Sequence, residues 1–489
     1  MELDPRRCYA AVQAKDARFD GRFFTGVVTT GIYCRPICPV VPPKLENTQF
    51  FACAAAAEAA GFRPCMRCRP ETAPGTPAWL GSSAVVSRAL RLIADDALND
   101  ADVDTLAARL GLGARQLRRL FAKHLGASPA QIARARRVHF ARTLIDETDL
   151  PLAQVAFSAG FKSVRQFNHA LRGTFRTSPS ALRNRRRAWS AAAQQDDGGL
   201  VVRLPYRPPF SWTSLVRFLA PRATPGVETV DARAYRRTIE VNGAPGTIDV
   251  RPSPTSSHLL LRVRVSSYDG VIHVVERVRR LFDLGADPSP ITRQLERSLS
   301  LRPFVRAVPG LRIPGAWDGF ELGVRAILGQ QVTVRGATTL ADRLVRRFGT
   351  AVDFDVAGLT HLFPRPEALA DADLTVIGLP RARAATIRAL ASAVKRGALT
   401  FDAAGGLDDL VTRLCAIPGV GQWTAHYIAM RACGEPDAFP ASDLGLRRAL
   451  GNGRGPLSAA QVAELAEAWR PWRAYAAMYL WNSLGDAGT

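Results

Sequence analysis

The spacing of apolar positions changes period several times along the chain. From about residue 82 to 182 apolar side chains recur three or four apart, the period of helices with one buried face. Inside this region LRRLFAKHLGASP, 117–129, matches FNHALRGTFRTSP, 167–179, at a fixed offset of fifty positions. A short helical segment and a glycine-containing turn precede each copy, LAARLGLG in one case and LAQVAFSAGF in the other. That is a helix-turn-helix pattern present twice. From Leu200 to about Leu284 the period shortens. YRRTIEVN, GTIDVRPSP and HLLLRVRVS alternate as strands do, Gly243-Ala244-Pro245-Gly246 is the expected hairpin turn, and DGVIHVVERVRRLFDL returns to helix. Beyond it, to Thr489, the pattern is almost wholly helical. Before residue 75 short β-rich pieces surround one Ala-rich helix near Ala54–Ala60. The run RNRRRAWSAAAQQDDGG, from Arg183, is a polar linker whose arginines add nonspecific affinity for a polyanion.

The expected organisation is therefore multidomain and mainly α, with a small metal-stapled α/β domain at residues 1–76. A helix-turn-helix domain follows at 82–187, a linker at 188–199, an α/β subdomain at 200–284 and an all-α domain at 285–489. A chain of 489 residues is long enough for several separate cores. The formal net charge of +22 favours nucleic acid or another anionic surface as partner. No run of 18 or more apolar residues exists and the first residues lack a signal-peptide core, so no membrane is expected and the location reads as cytoplasmic. In that compartment cysteines are metal ligands or thiols more often than disulfides. Cys34 and Cys38 form C-x3-C, and Cys65 and Cys68 form C-x2-C after a 26-residue gap, a spacing that can close one tetrahedral zinc site. By spacing alone that zinc is structural. Cys8, Cys53, Cys415 and Cys433 have no such partners.

The stretch Leu414–Leu450, LCAIPGVGQWTAHYIAMRACGEPDAFPASDLGLRRAL, carries the densest chemistry. Pro418 ends one helix, Gly419 and Gly421 allow a sharp turn, and a second helix restarts near Gln422. A hairpin of this kind offers unpaired N–H groups to a phosphate. Asp443, between Phe439-Pro440 and LGLRRAL, is either an N-cap or a positioned loop carboxylate.

From about Leu200 onwards the sequence resembles the helix-hairpin-helix glycosylases of base-excision repair, and among them the AlkA-type 3-methyladenine DNA glycosylases. VRLPYRPPFSWTSLVRFLAPRATPGVE resembles their N-terminal α/β subdomain. The resemblance implies that Gly419, Val420 and Gly421 grip phosphate, with room for a monovalent cation at that hairpin, and that Asp443 is catalytic. It also implies a base pocket of Trp423, Trp481, Tyr427 and Phe218, although Phe218 fits core packing as well. Gln331 takes the position of the side chain that fills the gap left by an extruded base, where AlkA itself has leucine. No cysteine follows Cys433, so the iron–sulfur cluster of some relatives is not expected.

The front of the chain is similar to the N-terminal part of the Ada repair and regulatory protein. TTGIYCRP, Phe50-Phe51 and GFRPCMRCRPE carry the likeness, and the doubled helix-turn-helix resembles the AraC-type domain that Ada carries next. The resemblance implies one zinc held by Cys34, Cys38, Cys65 and Cys68, with Cys34 accepting a methyl group from a DNA methylphosphotriester. Arg35, Arg63, Arg67 and Arg69 are then expected on phosphates. Helices at about Ala114–Leu125 and Ser163–Phe175 would present Arg115, Gln116, Arg118, Arg119, Arg165, Gln166 and Asn168 to a DNA groove. The loop PVVPPKL departs from Ada, having Lys44 as its one basic residue. No Pro-Cys-His-Arg string occurs, so Ada's second methyltransferase half is absent from this sequence. Loss of one thiolate charge on methylation would raise affinity for the phosphate backbone.

Together these readings lead to a monomeric, double-stranded-DNA-binding repair enzyme with a regulatory half able to find promoter sites and RNA polymerase. A cationic alkylated base would be flipped out and received by indole faces. Asp443 would then either stabilise the oxocarbenium-like sugar or orient water. The string Gly421-Gln422-Trp423-Thr424-Ala425 lacks the lysine that bifunctional relatives place there, so the expected reaction is monofunctional. Two rival readings are a transcription factor whose glycosylase half only scans DNA, and a glycosylase with a purely structural zinc.

Overall fold

The computed structural model describes residues 3–74, 84–95, 98, 102–185, 199–451 and 455–485. The expected linker at 188–199 lies, except for its last residue, outside them. Among the described residues no helix is long and apolar enough to cross a membrane.

The first unit opens with α1 (Pro5–Gln13), whose N-terminus is capped by the Asp4 carboxylate. A four-stranded sheet follows, built from β1 (Phe24–Val27), β2 (Ile32–Cys34), β3 (Thr48–Phe51) and, after α2 (Ala54–Ala59), β4 (Arg63–Pro64). Its order is β3-β1-β2-β4. The parallel pairing of β2 with β4, Ile32 opposite Arg63 and Tyr33 opposite Pro64, brings the end of β2 beside the loop that carries Cys65 and Cys68.

Among the described residues, the second unit holds seven helices: α3 (Ala84–Ala94), α4 (Val103–Arg109), α5 (Ala114–Leu125), α6 (Pro129–Glu147), α7 (Leu152–Ser158), α8 (Val164–Phe175) and α9 (Pro179–Asn184). The internal repeat appears as α4–α5 and α7–α8. Both second helices are 12 residues long and stop on a left-handed residue, Gly126 at φ 70° in one and Arg176 at φ 57° in the other. Between the copies runs α6, started by a reciprocal capping box between Ser128 and Gln131.

The third unit is a five-stranded antiparallel sheet of order β5-β9-β8-β7-β6. Its strands are β5 (Leu200–Pro205), β6 (Glu228–Val230), β7 (Tyr235–Val241), β8 (Ala244–Pro252) and β9 (His258–Arg264), with α10 (Trp212–Leu219) and α11 (Val271–Leu281) packed on it. The hairpin turn is not where the sequence reading put it. Val241 pairs with Ala244, so the turn is Asn242-Gly243, both at positive φ (51° and 81°), and Ala244, Pro245 and Gly246 already lie in β8. Two left-handed residues match the twist of the flanking strands, which is why an Asn-Gly pair takes the turn.

The remaining helices are α12 (Pro288–Leu295), α13 (Arg302–Ala307), α14 (Gly319–Leu328), α15 (Val334–Phe348), α16 (Pro366–Ala370) and α17 (Arg381–Lys395). They continue with α18 (Leu407–Cys415), α19 (Gln422–Arg431), α20 (Leu444–Leu450), α21 (Ala459–Ala466) and α22 (Arg473–Ser483). A two-stranded ribbon, β10 (Thr350–Ala351) and β11 (His361–Leu362), interrupts them. Their apolar faces share one core running from Ala286 to Leu480.

The units pack on one another. The core of the second helix-turn-helix copy is continuous with the five-stranded sheet, and that of the first takes in Cys53, Ala55 and Ala56 of the zinc unit. Ion pairs reinforce the joints: Arg22 with Asp287, Arg91 with Glu435, Arg69 with Asp146 at 2.6 Å and Arg109 with Asp402 at 2.7 Å.

Candidate functional site

The hairpin between α18 and α19 follows from its residues. Pro418 and Gly419 lie exposed at its tip, and Gly419 takes φ 87°, a region that excludes most side chains. Space excludes them too, because a Cβ at Gly419 would run into the Thr386 side chain on α17. Gly421 caps α19 without a side-chain acceptor, leaving the first N–H groups of that helix to an outside partner. A second loop is tied to this one. The Gln330 side-chain amide donates to Gly419 O at 3.0 Å and to Thr424 Oγ1 at 3.1 Å, and Arg383 donates to Gln330 O at 2.6 Å. Next to it Gln331 stands exposed in left-handed backbone, φ 55°, in the connection between α14 and α15.

Asp443 turns out to satisfy both of its sequence readings at once. Its carboxylate caps α20, Oδ1 accepting from Leu446 N at 3.0 Å. The same Oδ1 accepts from Trp481 Nε1 at 2.9 Å, while Oδ2 accepts from Trp423 Nε1 at 2.8 Å. Three neutral donors thus fix the orientation of one half-buried acid. Beside it opens a cavity of about 290 Å³, lined by Trp423, Trp481, Tyr427 and Phe218 together with Asp443 itself. Trp423 and Tyr427 stack at 5.2 Å with 8° between their planes, and Phe218 lies roughly parallel to Trp481 at 6.5 Å.

Three pocket residues escaped the sequence reading: Arg222, Arg325 and Arg431. Arg431 is held by Pro314 O (2.7 Å) and Gly315 O (3.0 Å) and donates to the Tyr427 hydroxyl at 2.7 Å. Its guanidinium carbon lies 5.0 Å from the Phe218 ring centre, and that of Arg222 4.0 Å. Part of the aromatic surface expected to receive a cationic base therefore already carries the protein's own cations. Position 431 is one helical turn after Tyr427, a spacing that could have pointed to it. Arg222 and Arg325 reach the pocket only through tertiary packing. Arg325 is paired with Glu228 at 2.9 Å, which also accepts from Tyr235 at 2.5 Å.

At the other end of the chain the sulfur atoms of Cys34, Cys38, Cys65 and Cys68 lie within 4.8 Å of one another. Tetrahedral Zn–S bonds of about 2.3 Å need sulfurs about 3.8 Å apart, so the four thiols fit zinc. Backbone N–H groups of Arg35 and Arg67 donate to the sulfurs of Cys68 (3.3 Å) and Cys65 (3.4 Å), as thiolates require. The arginines divide. Arg67 is exposed and Arg63 half-buried. Arg35 is not available to a phosphate: half-buried, it pairs with Asp20 and donates to Thr72 Oγ1 at 2.6 Å. Arg69 likewise joins Glu71 at 3.0 Å and Asp146 of α6, stitching the zinc unit to the helical one. Both corrections have one cause, since charge beside a buried carboxylate is worth more paired than left to solvent. On α5 and α8, Arg115, Gln116, Arg118, Arg119, Arg165 and Gln166 are exposed and Asn168 is half-buried. Gln166 is partly committed to its own helix start, its side chain accepting from Lys162 N at 3.2 Å.

Comparison with known proteins gives a consistent picture. Four family models match in order: the metal binding domain of Ada over 7–71, a helix-turn-helix domain over 106–185, the AlkA N-terminal domain over 201–318 and the HhH-GPD superfamily of base excision DNA repair proteins over 324–473. A Mycobacterium tuberculosis protein, named probable bifunctional transcriptional activator/DNA repair enzyme AlkA, is 45% identical over 484 residues, covering 99% of this chain and 97% of its own length. DNA-3-methyladenine glycosylase 2 of Escherichia coli is 34% identical over 58% of this chain and 97% of its own. The bifunctional transcriptional activator/DNA repair enzyme Ada of the same organism is 38% identical over 27% of this chain and 36% of its own. A match at this identity over nearly the whole length of both sequences makes the chain a member of the bifunctional transcriptional activator/DNA repair AlkA family, in which an Ada-type zinc and helix-turn-helix half precedes a helix-hairpin-helix DNA glycosylase.

Proposed function

We infer that the glycosylase half hydrolyses the N-glycosidic bond of alkylated bases of the 3-methyladenine class in double-stranded DNA, with Asp443 as the catalytic acid residue in its carboxylate form. The observation that carries this is the clasp of Trp423 and Trp481 on Asp443 at the edge of an aromatic cavity large enough for a base. With both oxygens oriented and no counter-cation on them, the carboxylate can face the positive charge that develops at the sugar as the C1′–N bond opens. The hairpin, exposed at Gly419 and Gly421 with the Val420 side chain buried beneath it, supports a phosphate grip, with or without a monovalent cation, and exposed Gln331 supports a wedge into the vacated base stack. Position 423, where a Schiff-base lysine would stand, is Trp423, which supports hydrolysis that leaves an abasic site.

The front half supports a second, stoichiometric activity. Cys34 and its three partner thiols would hold zinc, which supplies a deprotonated sulfur at neutral pH. The Cys34 sulfur attacks the methyl carbon of a methylphosphotriester, the C–O bond breaks, and a phosphodiester anion leaves with the electron pair. Loss of one negative charge at this site then favours DNA, with α5 and α8 reading a promoter and polymerase contact following.

One assay with methylated duplex DNA tests both halves. Wild type is expected to release base without forming a borohydride-trapped adduct, and Asp443→Asn to release it about 100-fold or more slowly. Mass spectrometry of the same sample should find one methyl on Cys34. Undiminished release by Asp443→Asn would refute the assignment of the acid, and an unmethylated Cys34 would leave the zinc structural.

A further inference from the structure

The cavity beside Asp443 is electrically lopsided. Its one acid is bonded to the two indoles, whereas Arg222, Arg325 and Arg431 line the part built from Phe218 and Tyr427. Arg325 is neutralised by Glu228 at 2.9 Å and by Glu321 at 3.7 Å. Arg431 is held by two carbonyls and a phenol, and Arg222 donates to Phe218 O at 3.0 Å. Among the described residues no carboxylate forms an ion pair with either of them. Two guanidinium charges without counter-ions therefore face a pocket expected to admit positively charged bases.

Such an arrangement opposes the binding of a cation, so it calls for a role at another stage of the reaction. When the C1′–N bond breaks, its electron pair passes to the base nitrogen. The sugar gains one positive charge and the base loses one. A cationic alkylpurine leaves neutral, whereas an uncharged base leaves as an anion. Water then bonds to C1′ and gives up one proton, and an anionic base takes up one. A nucleotide seated with its sugar at Asp443 and its base against Phe218 and Tyr427 would gain positive charge beside the acid and electron density beside the arginines.

We propose that Arg222 and Arg431 stabilise the electron pair taken by the departing base, as the counterpart of Asp443 at the sugar. The proposal rests on the glycosylase reading and deepens it. Tyr427 reports the same field: burial alone would raise its hydroxyl, but Arg431 and then Arg222 outweigh burial and hold it below its ordinary value, so negative charge is favoured at this wall.

The consequence depends on the charge of the base, which separates it from a structural role. For an uncharged base, the guanidiniums act little on the bound ground state and strongly on the transition state, so they raise kcat/KM. For a cationic base, repulsion in the bound state offsets the gain on bond breaking, so kcat rises, KM rises with it, and kcat/KM changes little.

The test compares release of 7-methylguanine, a cationic base, and hypoxanthine, an uncharged purine, from otherwise identical duplexes by the full-length protein. Arg222→Gln should lower kcat/KM on the hypoxanthine duplex about 100-fold or more, the range of losing one preorganised transition-state donor. On the 7-methylguanine duplex it should stay within about threefold of wild type, with kcat and KM falling together. Arg431→Gln should reproduce the split, and Arg431→Lys, which keeps the charge, should restore it. Equal losses on both duplexes would mean that the arginines only support the fold, and an unchanged hypoxanthine rate would also overturn the proposal. So would a wild type that releases 7-methylguanine but no hypoxanthine. A wild type that releases neither would instead overturn the glycosylase reading and remove this inference with it.

Discussion

Asp443 shows what one residue carries. Its Oδ1 takes a cap hydrogen bond from Leu446 N and an indole bond from Trp481, so substitutions separate folding from chemistry. Asparagine keeps an oxygen for the cap. Alanine removes it, at a cost of about 0.5–2 kcal/mol. Thermal denaturation should therefore place Asp443→Asn below wild type, because its amide N–H meets the Trp423 Nε1–H, and Asp443→Ala, which also loses the cap, lower still, while base release fails in both. If the two variants melt alike, the cap bond adds nothing. That Asp443 would cap a helix or sit as a positioned carboxylate was legible from its place after Phe439-Pro440 and before LGLRRAL. Its clasp was not, because Trp423 and Trp481 lie 20 and 38 positions away and meet it only when α19, α20 and α22 are packed. The arginines of the zinc unit show the opposite error. Arg35 and Arg69 looked like phosphate ligands beside a metal site, but Asp20 and Asp146 claim them. A basic residue in sequence says nothing of the carboxylate that tertiary structure will bring to it.

Elements were easier to read than their joints. The fifty-residue repeat anticipated α5 and α8 closely, because helical period and the glycine turns are local signals. The β7–β8 turn was misread by one position or more, since Gly-Ala-Pro-Gly drew attention away from the Asn-Gly pair that the strand twist selects. The α18–α19 hairpin combines a local signal with a tertiary one. Its glycines were evident, but the packing of Thr386 against Gly419 was not. Gly419→Ala faces two obstacles, a left-handed φ of 87° and the Thr386 side chain. Adding Thr386→Ala removes the second and leaves the first. The single variant should lose affinity for undamaged duplex about tenfold or more, a hairpin loss of about 1.4 kcal/mol or above. The double variant should recover only part of it, measured by fluorescence anisotropy at fixed salt. Full recovery would mean that backbone strain at this turn is negligible.

At the scale of the molecule, the order of units was readable and their docking was not. The joining ion pairs link residues far apart in sequence: Arg22 with Asp287, Arg91 with Glu435, Arg109 with Asp402. Asp287 is the most exacting of these. Its side chain is 9% exposed, it pairs with Arg22 from the zinc unit, and it also caps α12. It is a counter-charge for buried Arg207 as well. Replacing it by asparagine keeps the shape and an oxygen for the cap, but leaves buried Arg207 and half-buried Arg22 short of a counter-ion. Breaking a buried pair from one side costs about 3–5 kcal/mol. That cost falls on the joint, because the zinc unit and the glycosylase half each retain their own apolar core. Calorimetry of Asp287→Asn should therefore resolve an early transition belonging to the zinc unit, with the later transition of the glycosylase half and the helices packed on its sheet moved much less. Arg109→Ala makes the contrasting case, since its pair with Asp402 is 41% exposed on the arginine side and a surface pair contributes about 0–1 kcal/mol. It should leave the calorimetric profile nearly unchanged. If the two variants shift the profile equally, the halves are held by apolar contact rather than by the Asp287 joint.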